Sequence, residues 1–225
     1  MADFAAMNRC AAIVAKDPDK KIIVVSATAG TTNLLTSLSQ LKDSEDKKPL
    51  LNQIRDKHNS ILKKLGTSKE VKNEVESLID ELEQLISKKS LNQQEVDELL
   101  SIGERLSSRL FVQVLNKSGV NAVWQDARKI IKTDDTYGNA EPDIKLIEEN
   151  CSSELSRKIK NHVVVTQGFI GSDPRGKTTT LGRGGSDFSA ALIAEGVHAD
   201  VLEIWTDVTD IYTTDPSIVP EARPI

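Results

Sequence analysis

The run Lys21-Ile-Ile-Val-Val-Ser-Ala27 decides the fold of this chain, because a short, unbroken apolar segment is typical of a strand buried on both faces of a parallel sheet. Further strands are predicted at Ala122–Asp126, His162–Gln167 and Val201–Thr206. Predicted helices separate them. Strands that alternate with helices indicate an α/β protein with a mainly parallel, doubly wound sheet. Sheets of this kind bind ligands at the carboxyl ends of their strands.

A helical, charge-rich insertion is predicted between about residue 42 and residue 112. One helix in it has apolar residues at helical spacing over four turns, and its charges form the solvated face. Its apolar members are Val71, Val75, Leu78, Ile79, Leu82, Leu85 and Ile86. Asn92 and Glu95 have capping-box spacing and predict the start of the next helix. The first residues of the chain also predict an amphipathic helix, with Phe4, Met7, Ala11 and Val14 on one side.

Composition excludes several classes of protein. The chain has 225 residues, of which 38% are hydrophobic, enough for one sizeable α/β domain. A net charge of −5 and dispersed basic residues argue against nucleic acid as a partner. No apolar run reaches membrane-spanning length, so no membrane partner is expected. Cys10 and Cys151 are isolated and lack metal-site spacing, which indicates a reduced, cytoplasmic compartment and no metal-ligating residues.

A glycine-rich turn lies in Thr178-Thr-Thr-Leu-Gly-Arg-Gly-Gly-Ser-Asp187. Ser186 and Asp187 are helix-capping residue types, and Phe188–Glu195 is predicted as the helix that they open. A glycine turn that leads into a helix N-terminus favours phosphate or carboxylate, and Arg183 could hold a carboxylate in two places. The spacing fits neither a Walker A loop nor a dinucleotide fingerprint. An ordinary strand-to-helix turn is the alternative.

The loops that follow the predicted strands are expected to converge on one pocket. They are Ser26–Asn33, Gln167–Gly171 and Thr206–Asp215, and the glycine turn should lie near them.

Several separated motifs, in the same order, resemble those of the aspartokinases, and most closely those of the lysine-sensitive type. They are Ser26–Asn33 (SATAGTTN), Gly103-Glu104, Thr166–Gly171 (TQGFIG), Thr178–Asp187 (TTTLGRGGSD), Trp205–Val208 (WTDV) and Ile211–Pro216 (IYTTDP). The resemblance implies the amino acid kinase fold, an αβα sandwich that would here lack its first strand. It also implies ATP-dependent phosphorylation of the side-chain carboxylate of L-aspartate, with Mg²⁺, the first step toward lysine, threonine and methionine. The full-length enzyme would be a cytoplasmic homo-oligomer.

The resemblance also implies roles for individual residues. Arg183 matches the arginine that pairs with an aspartate carboxylate, and Asp187 would help to orient the substrate. Thr32, Glu104 and Ser186 would contact the amino acid, with Glu104 pairing with its ammonium group. The implied nucleotide-binding residues are Ser26, Gly30, Gly184, Gly185, Thr206, Asp207 and Tyr212.

The residues alone leave other interpretations open. Glu104 could be a surface charge beside Arg105, and Thr32 could be a helix cap. Asp207 could be a turn residue, and Tyr212 could serve only in packing. Trp205 is predicted to be core rather than a stacking platform. The three histidines, His58, His162 and His198, are predicted to be structural.

The chain also departs from the family pattern. The family opens with a strand ending in Lys-Phe-Gly-Gly-Thr-Ser and continues beyond Ile225 into regulatory modules, and this sequence has neither. Ser217 stands where the family usually has an arginine. Residues 1–225 are therefore expected to be a partial catalytic domain with little or no kinase activity and poor solubility. The alternatives are a degenerate ligand-binding or subunit-pairing remnant, or a kinase for another substrate such as glutamate.

Overall fold

The computed structural model describes residues 1–41, 44–205, 213, 219 and 221–223. Its helices and strands alternate as the sequence predicts, with a block of helices in the middle. In chain order they are α1 (Phe4–Lys16), β1 (Ile22–Val25), α2 (Thr31–Gln40), α3 (Ser44–Leu65), α4 (Lys69–Ile86), α5 (Gln93–Lys117), β2 (Ala122–Trp124), a 3₁₀ turn (Ala127–Lys129), α6 (Ile144–Leu155), β3 (Val163–Gln167), β4 (Ile170–Ser172), β5 (Thr178–Thr180) and α7 (Gly185–Gly196).

A parallel sheet with the strand order β1-β3-β2 forms the middle layer. Side chains alternate between the two faces of a strand, and β3 follows this rule. Val165 packs into the core that contains α1 and α5, whereas Val164 packs into the core formed by α6 and α7. Helices therefore cover both faces of the sheet. The predicted αβα sandwich with a mainly parallel sheet is confirmed.

The helices predicted from apolar spacing are also confirmed. In α4, Val71, Val75, Leu78, Ile79, Leu82 and Ile86 are buried, and in α1 the buried residues are Met7, Ala11 and Val14. The capping box at the start of α5 is present: the Glu95 N–H donates to Asn92 Oδ1 over 2.9 Å, and the Asn92 N–H donates to Glu95 Oε2 over 2.9 Å. Among the described residues, no helix combines the length and the hydropathy that a membrane crossing requires.

The prediction of a fourth buried strand at Val201–Thr206 is wrong for the part that the structure describes. Residues 201–205 adopt no strand, and Val201 and Trp205 are 73% and 58% exposed. An apolar run is stable as a buried strand only beside a hydrogen-bonded neighbour and under a covering layer. Glu203 instead pairs with Lys20 over 2.7 Å and accepts a hydrogen bond from Trp205 Nε1. The prediction of Trp205 as core is therefore wrong as well.

The local structure around the glycine turn differs from the prediction in two ways. Helix α7 begins at Gly185 and its N-cap is Gly184, so Ser186 and Asp187 lie in the first turn rather than capping it. The reason is that Gly184 has φ 75, a left-handed conformation that ends the extended chain before Ser186 is reached. In addition, the segments before the turn form an antiparallel pair, β4 with β5, which the sequence does not predict.

Candidate functional site

A cleft of about 550 Å³ opens at the carboxyl ends of β1 and β3, where the loops after these strands meet α5 and the glycine turn. The predicted site residues that line it are Ser26, Thr32, Glu104, Arg183, Gly184, Gly185, Ser186 and Asp187. The predicted convergence is thus observed for the loops Ser26–Asn33 and Gln167–Gly171 and for the glycine turn, whereas nearly all of the third loop, Thr206–Asp215, lies outside the described residues. Gly30 does not line the cleft but caps α2 beside it. Four residues singled out in the sequence lie outside the described residues: Thr206, Asp207, Tyr212 and Ser217.

The loop between β1 and α2 is held by its own hydroxyl groups and by α3. Thr28 Oγ1 lies 2.7 Å from Thr31 Oγ1 and 3.4 Å from Nε2 of the buried His58. Lys57, the neighbour of His58 on α3, donates a hydrogen bond to the Ala29 carbonyl. Burial lowers the pKa of His58 to about 4, so its ring is neutral near pH 7. His58 therefore has the structural role predicted for it, as part of the support of this loop.

Helix α5 approaches this loop closely because residue 103 is glycine. A Cβ at Gly103 would lie 2.9 Å from Ala27 Cβ and 3.1 Å from Leu35 Cδ1. The close approach lets Glu104 Oε1 accept a hydrogen bond from the Ala27 N–H over 3.1 Å. The structure therefore explains why glycine precedes Glu104: Gly103 leaves room for the loop after β1, and Glu104 accepts a hydrogen bond from it.

Glu104 is buried, and the alternative that it is a surface charge is wrong. It is 3% exposed, whereas the neighbouring Arg105 pairs with Glu81 at 2.6 Å on another side of the helix. Burial raises the pKa of Glu104 to about 7, although the hydrogen bond from Ala27 opposes this shift. Its other oxygen, Oε2, has no hydrogen-bond partner among the described residues. A buried carboxylate oxygen without a partner favours a bound cation or hydrogen-bond donor at the cleft.

The glycine turn brings a positive charge to the same cleft. Arg183 is exposed, and its guanidinium forms no ion pair within the described ranges. Gly185 packs against Phe169, since a Cβ at this position would lie 2.9 Å from Phe169 Cδ2. This packing fixes the backbone that follows Arg183, while the Arg183 side chain remains available to a ligand.

Two helices begin at this cleft without a side-chain cap. The N-cap of α2 is Gly30 and that of α7 is Gly184, and neither position has a side-chain hydrogen bond. The first N–H groups of a helix lack intrahelical partners and favour an anion. Thr32 lies in the first turn of α2 rather than capping it, and it lines the cleft, as Ser186 does in α7. The cleft therefore combines one buried carboxylate with anion-binding groups.

Further residues, which the site prediction did not name individually, also line the cleft: Thr36, Gln93, Leu100, Gly138, Phe169, Thr180 and Gly182. Phe169 has φ 70, which is rare for a residue with a side chain. Its N–H donates to Ser189 Oγ over 2.8 Å, and its carbonyl accepts from the Leu181 N–H over 2.9 Å. Phe169, Thr180 and Gly182 lie in motifs singled out in the sequence, Thr166–Gly171 and Thr178–Asp187, whereas the other four residues had no comparable signal.

The three-layer fold agrees with the comparison against known families. The profile of the amino acid kinase family matches residues 1–225, and the chain belongs to this family. The lysine-sensitive aspartokinase 3 of Escherichia coli (strain K12) is 44% identical to it over 227 aligned residues, which cover 100% of this chain and 51% of that protein. The aspartokinase of Chlamydia muridarum (strain MoPn / Nigg) is 36% identical, with 96% of this chain and 48% of that protein covered.

Solved structures lead to the same family. The crystal structure of E. coli aspartokinase III in complex with aspartate and ADP, in the R-state, matches with a TM-score of 0.94 and 44% identity. The match covers 100% of this chain and 51% of that one. The chain spans about half the length of the curated relatives that it matches. The family expected from the sequence motifs is confirmed.

Proposed function

We propose that this chain is part of an aspartokinase, which transfers the γ-phosphoryl group of ATP to the side-chain carboxylate of L-aspartate. The product is 4-phospho-L-aspartate, in the first step toward lysine, threonine and methionine. The support is the 44% identity with a lysine-sensitive aspartokinase along the whole chain, together with the composition of the cleft. We further propose that residues 1–225 are a partial catalytic domain in which residues 42–112 are a helical insertion. The full-length protein would be a cytoplasmic homo-oligomer.

The observation that carries this proposal is the unpartnered Oε2 of Glu104 in a cleft that Arg183 also lines. An amino acid with an acidic side chain has one ammonium group and two carboxylates. Glu104 would pair with the ammonium group, and Arg183 would bind a carboxylate through its planar fork. Thr32, Ser186 and Asp187 would orient the same molecule. A ligand of this chemistry provides the donor that the buried Glu104 lacks.

Transfer of a phosphoryl group to a carboxylate requires mainly positioning and charge stabilisation. The nucleophile is already ionised near pH 7, so no general base is needed to create it. Ser26, Gly30, Gly184 and Gly185 would lie around the phosphates, and the unpartnered N–H groups in the first turns of α2 and α7 would stabilise phosphate charge. The roles of Thr206, Asp207 and Tyr212 in nucleotide binding remain part of the proposal, since they lie outside the described residues.

Mg²⁺ would be held mainly by the nucleotide. Within the described ranges, no group of three or more His, Cys, Asp or Glu side chains could hold a metal ion. The phosphate oxygens of ATP are ligands of the kind that Mg²⁺ prefers, and Mg²⁺ bound there would offset the repulsion between γ-phosphate and carboxylate.

Calorimetric titration with L-aspartate and with L-glutamate tests the proposal. We expect the chain to bind L-aspartate more tightly than L-glutamate. Glu104→Gln should weaken aspartate binding by about tenfold or more, because it removes the charge that pairs with the ammonium group. Glu98→Gln is the matched control: it makes the same change on the same helix, at a residue that pairs with Arg105 and does not line the cleft. Tighter binding of glutamate, or equal losses in both variants, would refute the assignment.

A further inference from the structure

Asp97 is a fully buried carboxylate on the face of α5 that carries Glu104. Gln93, Asp97, Leu100 and Glu104 follow one another at intervals of four, three and four residues, so they form one stripe along the helix. The other three members of the stripe line the cleft, whereas Asp97 is 0% exposed. Asp97 therefore lies behind the cleft surface, where it reaches no solvent.

One oxygen of Asp97 joins two separate parts of the cleft wall. Oδ2 accepts a hydrogen bond from the Gly138 N–H over 2.9 Å and another from the Thr180 N–H over 2.8 Å. Both donors belong to cleft-lining residues, and they are 41 and 83 residues away from Asp97 in the chain. A single side chain on α5 thus ties the loop before α6 to the end of β5.

Further contacts connect these two segments with the glycine turn. The Thr180 carbonyl accepts a hydrogen bond from the Ala140 N–H over 2.9 Å, which joins the same two segments a second time. Gly182 lies against Asn139, and a Cβ at position 182 would overlap the Asn139 side chain. The backbone that leads to Arg183 is therefore packed on the loop that Asp97 anchors.

A carboxylate at this buried position has a cost in stability. Burial raises the pKa of Asp97, although the N–H groups of Gly138 and Thr180 oppose the shift. Its second oxygen, Oδ1, has no hydrogen-bond partner among the described residues. A buried carboxylate with one unpartnered oxygen is unfavourable for stability. Its benefit is that one acceptor fixes two backbone donors at once.

We infer that Asp97 is a positioning residue for the amino-acid site: it holds the Gly138 loop and the glycine turn together, so that Arg183 is kept at the cleft. The identity of the amino acid rests on the proposed function, whereas the hydrogen bonds from Gly138 and Thr180 to Asp97 do not depend on it. Asp97 itself does not reach the cleft surface. It acts through Gly138 and Thr180.

The test compares Asp97→Leu and Asp97→Asn with wild type, and uses Leu99→Ala as the control. Leu99 is also fully buried on α5, but its side chain makes no hydrogen bond to the wall, so this variant reports general destabilisation of the helix. The first measurement is amide hydrogen exchange in the ligand-free protein. In Asp97→Leu we expect exchange at Gly138 and Thr180 to be faster by about tenfold or more, because both buried N–H groups lose their acceptor. Asp97→Asn keeps one carbonyl oxygen and should have a smaller effect.

The second measurement is calorimetric binding of L-aspartate. We expect Asp97→Leu to bind about tenfold more weakly or worse, and Asp97→Asn to recover much of the affinity, while Leu99→Ala binds nearly as wild type does. If Asp97→Leu does not fold, the same selective increase at Gly138 and Thr180 is expected, at lower magnitude, in Asp97→Asn.

The outcomes separate this inference from the proposed function. The positioning role would be overturned if amide exchange at Gly138 and Thr180 changed no more in the Asp97 variants than in Leu99→Ala. This result would not depend on which ligand the cleft binds. Unchanged aspartate affinity in Asp97→Leu would overturn the positioning role as well. If wild type binds no L-aspartate but the selective exchange effect is present, the proposed function is wrong. The conclusion that Asp97 holds the Gly138 loop and the glycine turn together is then still supported.

Discussion

Glu104 both stabilises the cleft and carries a cost in stability. Its hydrogen bond to Ala27 fixes the loop after β1, but its burial leaves one carboxylate oxygen unpartnered. Sequence reasoning identified Arg183 from its glycine turn, and Glu104 from the resemblance of Gly103-Glu104 to an aspartokinase motif. Asp97 was not identified, since a single acidic residue in a predicted helix carries no signal of burial. Only the contact with Gly138 and Thr180, far along the chain, makes it part of the site.

The raised pKa of Glu104 predicts how the stability of the ligand-free protein depends on pH. The folded-state pKa is about 7 and the unfolded value is near 4.5, so the folded state binds more protons between these values. Stability should therefore be fully present below about pH 4.5 and fall by about 3 kcal/mol as pH rises through about 7. Urea unfolding of wild type and Glu104→Gln at pH 5 and pH 8 measures this. Glu104→Gln should lose less stability over this range than wild type; parallel losses in both proteins would contradict the prediction.

Among the elements, β1, β2 and β3 were predictable because each is an apolar run that needs cover on both faces. The antiparallel pair β4 and β5 was not, since Ile170–Ser172 and Thr178–Thr180 contain mostly glycine and hydroxyl residues. All six of these residues are buried, and tertiary contacts decide their pairing. For residues 201–205 the error is the opposite one: the apolar run predicts a strand, but no strand pairs with it in the described part of the chain.

The capping box of α5 should stabilise the helix that carries both Asp97 and Glu104. Asn92→Ala removes the acceptor of the Glu95 N–H and should lower the free energy of unfolding by about 1 kcal/mol. Chemical denaturation measures the change. Asn73→Ala makes the same substitution at an exposed position inside α4 and should be neutral or slightly stabilising. Equal effects of the two substitutions would show that the cap contributes nothing.

At the scale of the whole molecule, the three layers follow from the alternation of Val164 and Val165, and one core runs from the sheet into the helices of residues 44–117. The described surface also carries an apolar patch that this packing does not cover. Val201, Leu202, Ile204 and Trp205 are each at least 44% exposed, within five consecutive residues. Exposed clusters of this kind promote association.

We expect the chain to self-associate as its concentration rises, through this patch. The double variant Val201→Ser with Trp205→Ser should elute later from a sizing column than wild type and have a lower mass by light scattering. Leu146→Ser, at an exposed apolar residue on α6, is the control and should behave as wild type does. A wild-type chain that stays monomeric at every concentration would contradict this expectation.

The contacts between α3 and the loop after β1 have a consequence for any shortened form of this chain. Lys57 and His58 reach that loop from a helix that the sequence marks only as an insertion. A shortened version without α3 would leave the Ala29 carbonyl without the Lys57 donor and the Thr28 hydroxyl without its His58 contact. That loop lines the cleft, so the shortened protein would lose part of the support of its candidate ligand site.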